Sequence, residues 1–152
     1  MVDVGAKPVT ARSATARALV RLPAVCARAL QAARSPKGDV LGTARLAGIQ
    51  AAKRTAGLIP LCHVLPLDAV ELAFASRARG RVLAIQCTVR CRGATGVEME
   101  ALTGATIAAL TVYDMLKALS HDIRIDGVEL LAKSGGRSGD IRRRAAAGGR
   151  RR

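Results

Sequence analysis

The chain contains no tryptophan, one tyrosine (Tyr113) and one phenylalanine (Phe74) in 152 residues, although half of its residues are hydrophobic. Its core therefore rests on Ala, Val, Leu and Ile. Each of these buries less surface than an aromatic ring, so an isolated chain of this length gains modest stability and self-association would add to it. The shortage of aromatics also removes the stacking platforms that hold single-stranded nucleic acid. The four cysteines (Cys26, Cys62, Cys87 and Cys91) form no Cys-x-x-Cys pair, which argues against a zinc ribbon or a redox motif. They read as reduced thiols of a cytoplasmic protein. Only two histidines are present, His63 and His121, so one chain cannot build a three-histidine metal site. No apolar stretch free of charge reaches membrane-spanning length. Residues 1–7 include Asp3 and no apolar run follows, so no secretory leader is expected.

Positive charge, by contrast, is abundant. The formal net charge is +14, and six arginines within residues 141–152 leave +8 on the remainder. That balance suits a polyanionic partner such as a nucleotide, a nucleic acid or an acidic surface, and it equally fits a general Arg/Ala-rich composition. The length fits one domain, expected over residues 1–140, with an Arg-rich disordered tail over 141–152.

Along the chain, residues 1–9 read as a loose arm. Residues 10–22 carry Arg12, Arg17 and Arg21 among Ala and Thr, and their periodicity does not separate helix from strand. Pro23 permits a helix start over 24–33, and Ser35-Pro36-Lys37-Gly38 is a turn. Asp39 is a natural N-cap for an Ala-rich helix running to about residue 55, closed by Gly57 and Pro60. Residues 69–75 and 81–90 read as strands, and the polar linker 76–80, ending in Gly80, predicts a hairpin between them. The apolar stretch 97–119 is too long for a strand and reads as a buried helix, followed by a last strand over 123–131. This order predicts an α+β fold: an antiparallel sheet with helices packed on one face.

Five segments concentrate polar groups. Lys37 sits on a turn before a helix, where unpaired N–H groups and a cation together suit a phosphate; the alternative is an ordinary surface turn. Cys62 and His63 offer half a metal site or a nucleophile–base pair, but neighbours on a strand face opposite ways, and a histidine at a domain edge is the plainer reading. Glu98 and Glu100, flanking Met99, either complement a helix dipole or grip the N–H groups of a purine-like base. Asp114 and Lys117 share a helix face, as a surface ion pair or as an acid/base pair in a cleft. The glycine-rich stretch 133–139 lacks the spacing of a Walker loop.

Taken together, the strings Met1-Val2-Asp3-Val4, Lys37-Gly38-Asp39-Val40, Ala44-Arg45-Leu46-Ala47-Gly48-Ile49-Gln50, Leu58-Ile59-Pro60-Leu61-Cys62-His63, Thr95-Gly96-Val97-Glu98-Met99-Glu100, Tyr113-Asp114-Met115 with Lys117, and Ala132-Lys133-Ser134-Gly135-Gly136 resemble the MoaC family, in order, over residues 1–140. The resemblance implies a ferredoxin-like fold, a homohexamer built as a trimer of dimers, and active sites at the dimer interface. It implies an enzyme of molybdenum-cofactor biosynthesis, a phosphorus–oxygen lyase. Such an enzyme converts 3′,8-cyclo-7,8-dihydro-GTP to cyclic pyranopterin monophosphate and releases pyrophosphate. No cofactor is implied, though a divalent ion such as Mg can accompany the polyphosphate; no membrane or nucleic-acid partner is implied. Carried over by position, Asp114, Lys117, Lys37 and His63 are the catalytic candidates. Leu61, Cys62, His63, Met99 and Glu100 line the substrate, with Arg12, Lys53 and Lys133 in the phosphate field. Val64 departs from the family pattern, which often has Pro there, and the Arg-rich tail is not part of it.

Overall fold

A computed structural model describes residues 1–136 and 139–143. Its elements run β1 (Thr10–Arg21), α1 (Ala24–Gln31), α2 (Val40–Lys53), α3 (Thr55–Leu58), β2 (Leu67–Arg77), β3 (Val82–Gly93), α4 (Glu98–Leu116), β4 (Arg124–Ser134) and β5 (Ile141–Arg142). All neighbouring strands are antiparallel, in the order β2-β3-β1-β4-β5. Helices α2 and α4 pack together over one face of this sheet, the arrangement of a ferredoxin-like α+β fold.

Residues 10–21, undecided from periodicity, form the central strand. Ala14, Ala16, Ala18 and Val20 are buried under the helices, while Thr15, Arg17, Leu19 and Arg21 occupy the opposite face. The expected hairpin is present, with Ala78, Arg79 and Gly80 all in the left-handed region at its tip. The helix expected to run to residue 55 stops at Lys53. A separate turn, Thr55–Leu58, follows and contains Gly57 rather than ending at it. Residues 141–142, read as tail, pair with Ala132 and Lys133 of β4; the expected disorder of 144–152 lies outside the described residues.

The core is aliphatic and unusually thin between the helices. A Cβ on Gly48 of α2 would lie 2.9 Å from the carbonyl oxygen of Gly104 of α4, and one on Gly104 would lie 2.6 Å from Cys87 Sγ of β3. Glycine at both positions lets the two backbones meet and seats α4 directly on the sheet. Close contact of this kind replaces the bulk that aromatic side chains give other cores. No described helix covers the sheet's other face. There Thr15 and Thr88 share a hydroxyl hydrogen bond of 3.0 Å, Arg17 pairs with Glu129, Arg21 with Asp126 and Arg90 with Glu71. Arg17 is buried and its Nε has no partner among the described residues.

Candidate functional site

Asp39 caps α2 as expected: its carboxylate accepts from the Gly42 N–H at 2.9 Å. That contact takes up the helix end proposed for a phosphate, so Lys37 itself carries the positive charge at this corner. The turn holding Lys37 is tied to the last turn of α4 by Ser35 Oγ, which donates to the Met115 carbonyl at 3.0 Å. Lys37 Nζ then lies 2.6 Å from one oxygen of Asp114, and Lys117 Nζ lies 2.8 Å from the other. All three side chains are exposed, so of the two readings left open by the sequence the surface ion pair holds within one chain. Hydrogen bonds from Lys117 first and Lys37 second hold the Asp114 carboxyl down at about 2. The same Asp114 contact pushes the Lys117 ammonium up. At neutral pH the group is therefore a carboxylate clasped by two ammonium ions. In it Lys117 holds its proton more tightly than a free lysine does, and both Lys117 as a donor and Asp114 as a base become useful only when the clasp is opened.

The other end of α4 faces the loop 59–66, and between them opens a cavity of about 340 Å³. Leu61, Cys62, His63, Met99 and Glu100 all line it, together with Glu98, Thr95 and, from the N-terminal arm, Val2, Val4 and Lys7. Cys62 and His63 are not on a strand, so the expectation that they face apart is overturned: both reach the same cavity. Burial, and then the charge of Glu100, pushes the Cys62 thiol up, which removes it as a thiolate nucleophile. His63 Nε2 is 2.9 Å from the Val2 carbonyl oxygen. Glu100 is only 4% exposed, and burial, with Glu98 adding its charge, pushes its carboxyl up. A buried carboxyl beside a cavity is a ready partner for the N–H edge of a heterocycle, more than a complement to the helix dipole. Lys133 reaches Glu98 from β4 at 3.2 Å. Arg12 donates to the carbonyls of Gly93 and Ala94 (3.2 and 3.3 Å), bracing the turn that leads into α4. Lys53 lines a neighbouring cavity with Ile49, Leu65 and Asp68. Sequence reading did not single out Lys7; the signal available was its cation beside the Met1-Val2-Asp3-Val4 string.

The candidates thus fall into two groups at opposite ends of one helix. Glu100 and Asp114 are about 21 Å apart at the ~1.5 Å rise per residue of an α-helix. Since α2 runs antiparallel to α4, Lys37 falls with Asp114 and Lys53 with the loop 59–66. No small substrate bridges the two groups of one chain. Among the described residues, no group of three or more His, Cys, Asp and Glu side chains is placed to hold a metal ion. None of the described helices is long and apolar enough to cross a membrane.

Comparison with known proteins places the chain in a family. The model of the MoaC family matches residues 1–136, a span that takes in both groups. A cyclic pyranopterin monophosphate synthase of Chloroflexus aggregans is 55% identical over 147 residues, covering 97% of this chain and 89% of that protein. Proteins of the same name from Nostoc and from Xanthomonas oryzae are 54% and 56% identical, covering 92% and 90% of this chain and 83% and 84% of theirs. With residues 1–136 matched by the family model and a relative 55% identical over 97% of its length, the chain belongs to the MoaC family.

Proposed function

We propose that this chain is a cyclic pyranopterin monophosphate synthase, converting 3′,8-cyclo-7,8-dihydro-GTP to cyclic pyranopterin monophosphate with release of pyrophosphate. The observation that carries the reading is the single ionic group Lys37–Asp114–Lys117. It gathers the three candidates expected to move protons and to meet a polyphosphate. An arriving triphosphate competes with Asp114 for both ammonium ions. Drawing Lys37 onto phosphate oxygens stabilises the leaving pyrophosphate and raises the proton affinity of Asp114. Lys117 then supplies a proton and Asp114 receives one, as ring opening and reclosure require.

The heterocycle belongs in the cavity at the other end of α4, with Glu100 on its N–H groups and His63 as a second proton-transfer group. Because that cavity lies about 21 Å from Asp114 along the helix, the reading requires one chain to supply Lys37, Asp114 and Lys117 and a second chain to supply the cavity. The bare, polar sheet face and the exposed Leu61 and Val64 beside the cavity leave ample surface for association. A homohexamer in the cytoplasm, with no resident cofactor and with any divalent ion arriving on the polyphosphate, completes the proposal.

The test is turnover. Purified protein supplied with the cyclised GTP intermediate is expected to yield cyclic pyranopterin monophosphate and pyrophosphate in equal amounts. Absence of both products from folded, assembled protein overturns the activity. Sedimentation that finds only a 15.8 kDa species at micromolar concentration overturns the shared site.

A further inference from the structure

The N-terminal arm carries a family-like string, Met1-Val2-Asp3-Val4, that the proposed chemistry leaves unused. In the structure it belongs to no helix or strand, yet it has a defined shape. The Gly5 N–H donates to Asp3 Oδ1 at 2.8 Å and the Lys7 N–H donates to the Val4 carbonyl at 3.0 Å, folding the arm into two successive turns. Those turns bring the arm to the 340 Å³ cavity, where Val2, Val4 and Lys7 form part of the wall. Met1 and Val2 remain over 70% exposed, so little apolar burial holds the arm down. Its specific tie to the cavity is the 2.9 Å contact between the Val2 carbonyl oxygen and His63 Nε2.

A carbonyl oxygen only accepts, so Nε2 of His63 must carry the proton in this contact. His63 stands on the loop 59–66, where no helix or strand fixes its ring, and the Val2 carbonyl is its hydrogen-bond partner among the described residues. We infer that residues 1–7 form a positioning strap, in which the Val2 carbonyl takes the Nε2–H of His63, holds the ring at the cavity and leaves Nδ1 as the nitrogen free to exchange a proton. The division of labour is the familiar one of a partner on one ring nitrogen setting the role of the other. Because the strap is anchored by few contacts, it opens at small cost and lets substrate in and product out.

This inference rests on the proposed synthase activity for the meaning of His63, and its test has an arm that does not. With only two histidines in the chain, a His121→Asn background leaves one imidazole to observe by ¹⁵N NMR. In the strapped protein, neutral His63 is expected to appear as a single form with Nε2 protonated. Val2→Ala, which retains the carbonyl, is expected to leave that form unchanged. Deleting residues 2–4, or loosening the first turn with Asp3→Ala, is expected to give the mixture of both tautomers seen for imidazole in water. In the activity arm, the deletion is expected to lower kcat at least tenfold with assembly intact. A His63 spectrum identical in the full and shortened chains overturns the strap, whether or not the protein is active. A Val2→Ala spectrum as disturbed as the deletion overturns the role of the carbonyl. If the NMR arm behaves as expected but the full chain has no turnover, the fault lies with the proposed reaction and not with the strap.

Discussion

Two lesions at opposite ends of α4 give the most direct test of how the site is built. Lys117→Arg keeps a cation beside Asp114 but removes a proton donor, because a guanidinium does not release its proton near neutral pH. His63→Asn removes the titratable group at the cavity. Each is expected to lower turnover by about 10²–10⁴-fold, the usual contribution of a general acid or base. The two positions are separated by the length of the helix, about 21 Å or more, so no substrate touches both in one chain. At the proposed two-fold interface, however, each site would take its ionic group from one chain and its cavity from the other. A mixed pair then holds one site free of lesions and one that carries both. Random pairing of equal amounts makes about half of the pairs mixed, and half the sites in these are intact, so recovery of about a quarter of the parental rate is expected. The assay is to dissociate and reassociate the two inactive proteins together, verify mixed assemblies by two affinity tags, and measure pyrophosphate release. Lys117→Arg mixed with Asp114→Asn is the control. Both lesions fall in the same group, every site is damaged, and no recovery is expected. If verified mixed assemblies of Lys117→Arg and His63→Asn stay at the sum of the two separate rates, the two groups do not share a site and the reasoning fails.

Other consequences follow from the same geometry. Lys117→Arg alone, checked for assembly, is expected to lose at least about a hundredfold in rate; a loss under fivefold would make Lys117 a structural partner of Asp114. Because the Asp114 carboxyl is held down at about 2, its clasp by Lys37 and Lys117 is complete above the ordinary carboxylate range and is lost only as pH falls through about 2. Carboxyl ¹³C NMR following Asp114 should find it still ionised at about pH 3, where an ordinary aspartic acid is mostly protonated. Glu100 has the opposite sign: its carboxyl is pushed up, so its ionisation opposes folding as pH rises. Glu100→Gln is expected to raise the melting temperature at neutral pH while lowering turnover, and a lower melting temperature would count against burial as the dominant influence on its carboxyl. Gly104→Ala trades a helix-propensity gain of about 1 kcal/mol against overpacking of about 1–3 kcal/mol on Cys87 Sγ. Net destabilisation is expected by thermal unfolding, and its relief in combination with Cys87→Ala; a stabilised single variant would mean that the crossing has slack.

Much of the fold was legible because local rules and tertiary demands agree. Asp39 followed by an Ala-rich run is a cap and a helix by local chemistry alone, and a polar linker ending in Gly80 between two β-rich runs leaves few options other than a hairpin. Residues 10–21 were illegible because alanine fills the buried positions. Ala14, Ala16 and Ala18 alternate with Thr15 and Arg17, but alanine is as natural in a helix, so the period of two carries no contrast. The site was legible as a set of residues through family strings, and illegible as geometry. Nothing in the string Leu61-Cys62-His63 announces a loop that brings adjacent side chains to one cavity. The separation of Asp114 and Glu100, by contrast, follows from their spacing on the helix expected over 97–119, at about 1.5 Å per residue. The contact of His63 with the Val2 carbonyl joins residues 61 positions apart through a backbone atom, a kind of partner that side-chain patterns do not encode.

Helix α4 carries a chemical group at each end, and this makes its length a functional quantity. Substitutions along its middle alter packing by degrees, but inserting or deleting one residue would turn one end relative to the other by about 100° and slide it by about 1.5 Å. If two such rods are related by a two-fold axis, each error is counted at both sites at once. The helix therefore works as a gauge block for the assembly. Its composition can change wherever small residues keep it seated on the sheet, while in the proposed shared site the number of residues between Glu100 and Asp114 sets how far each chain's ionic group stands from its own cavity.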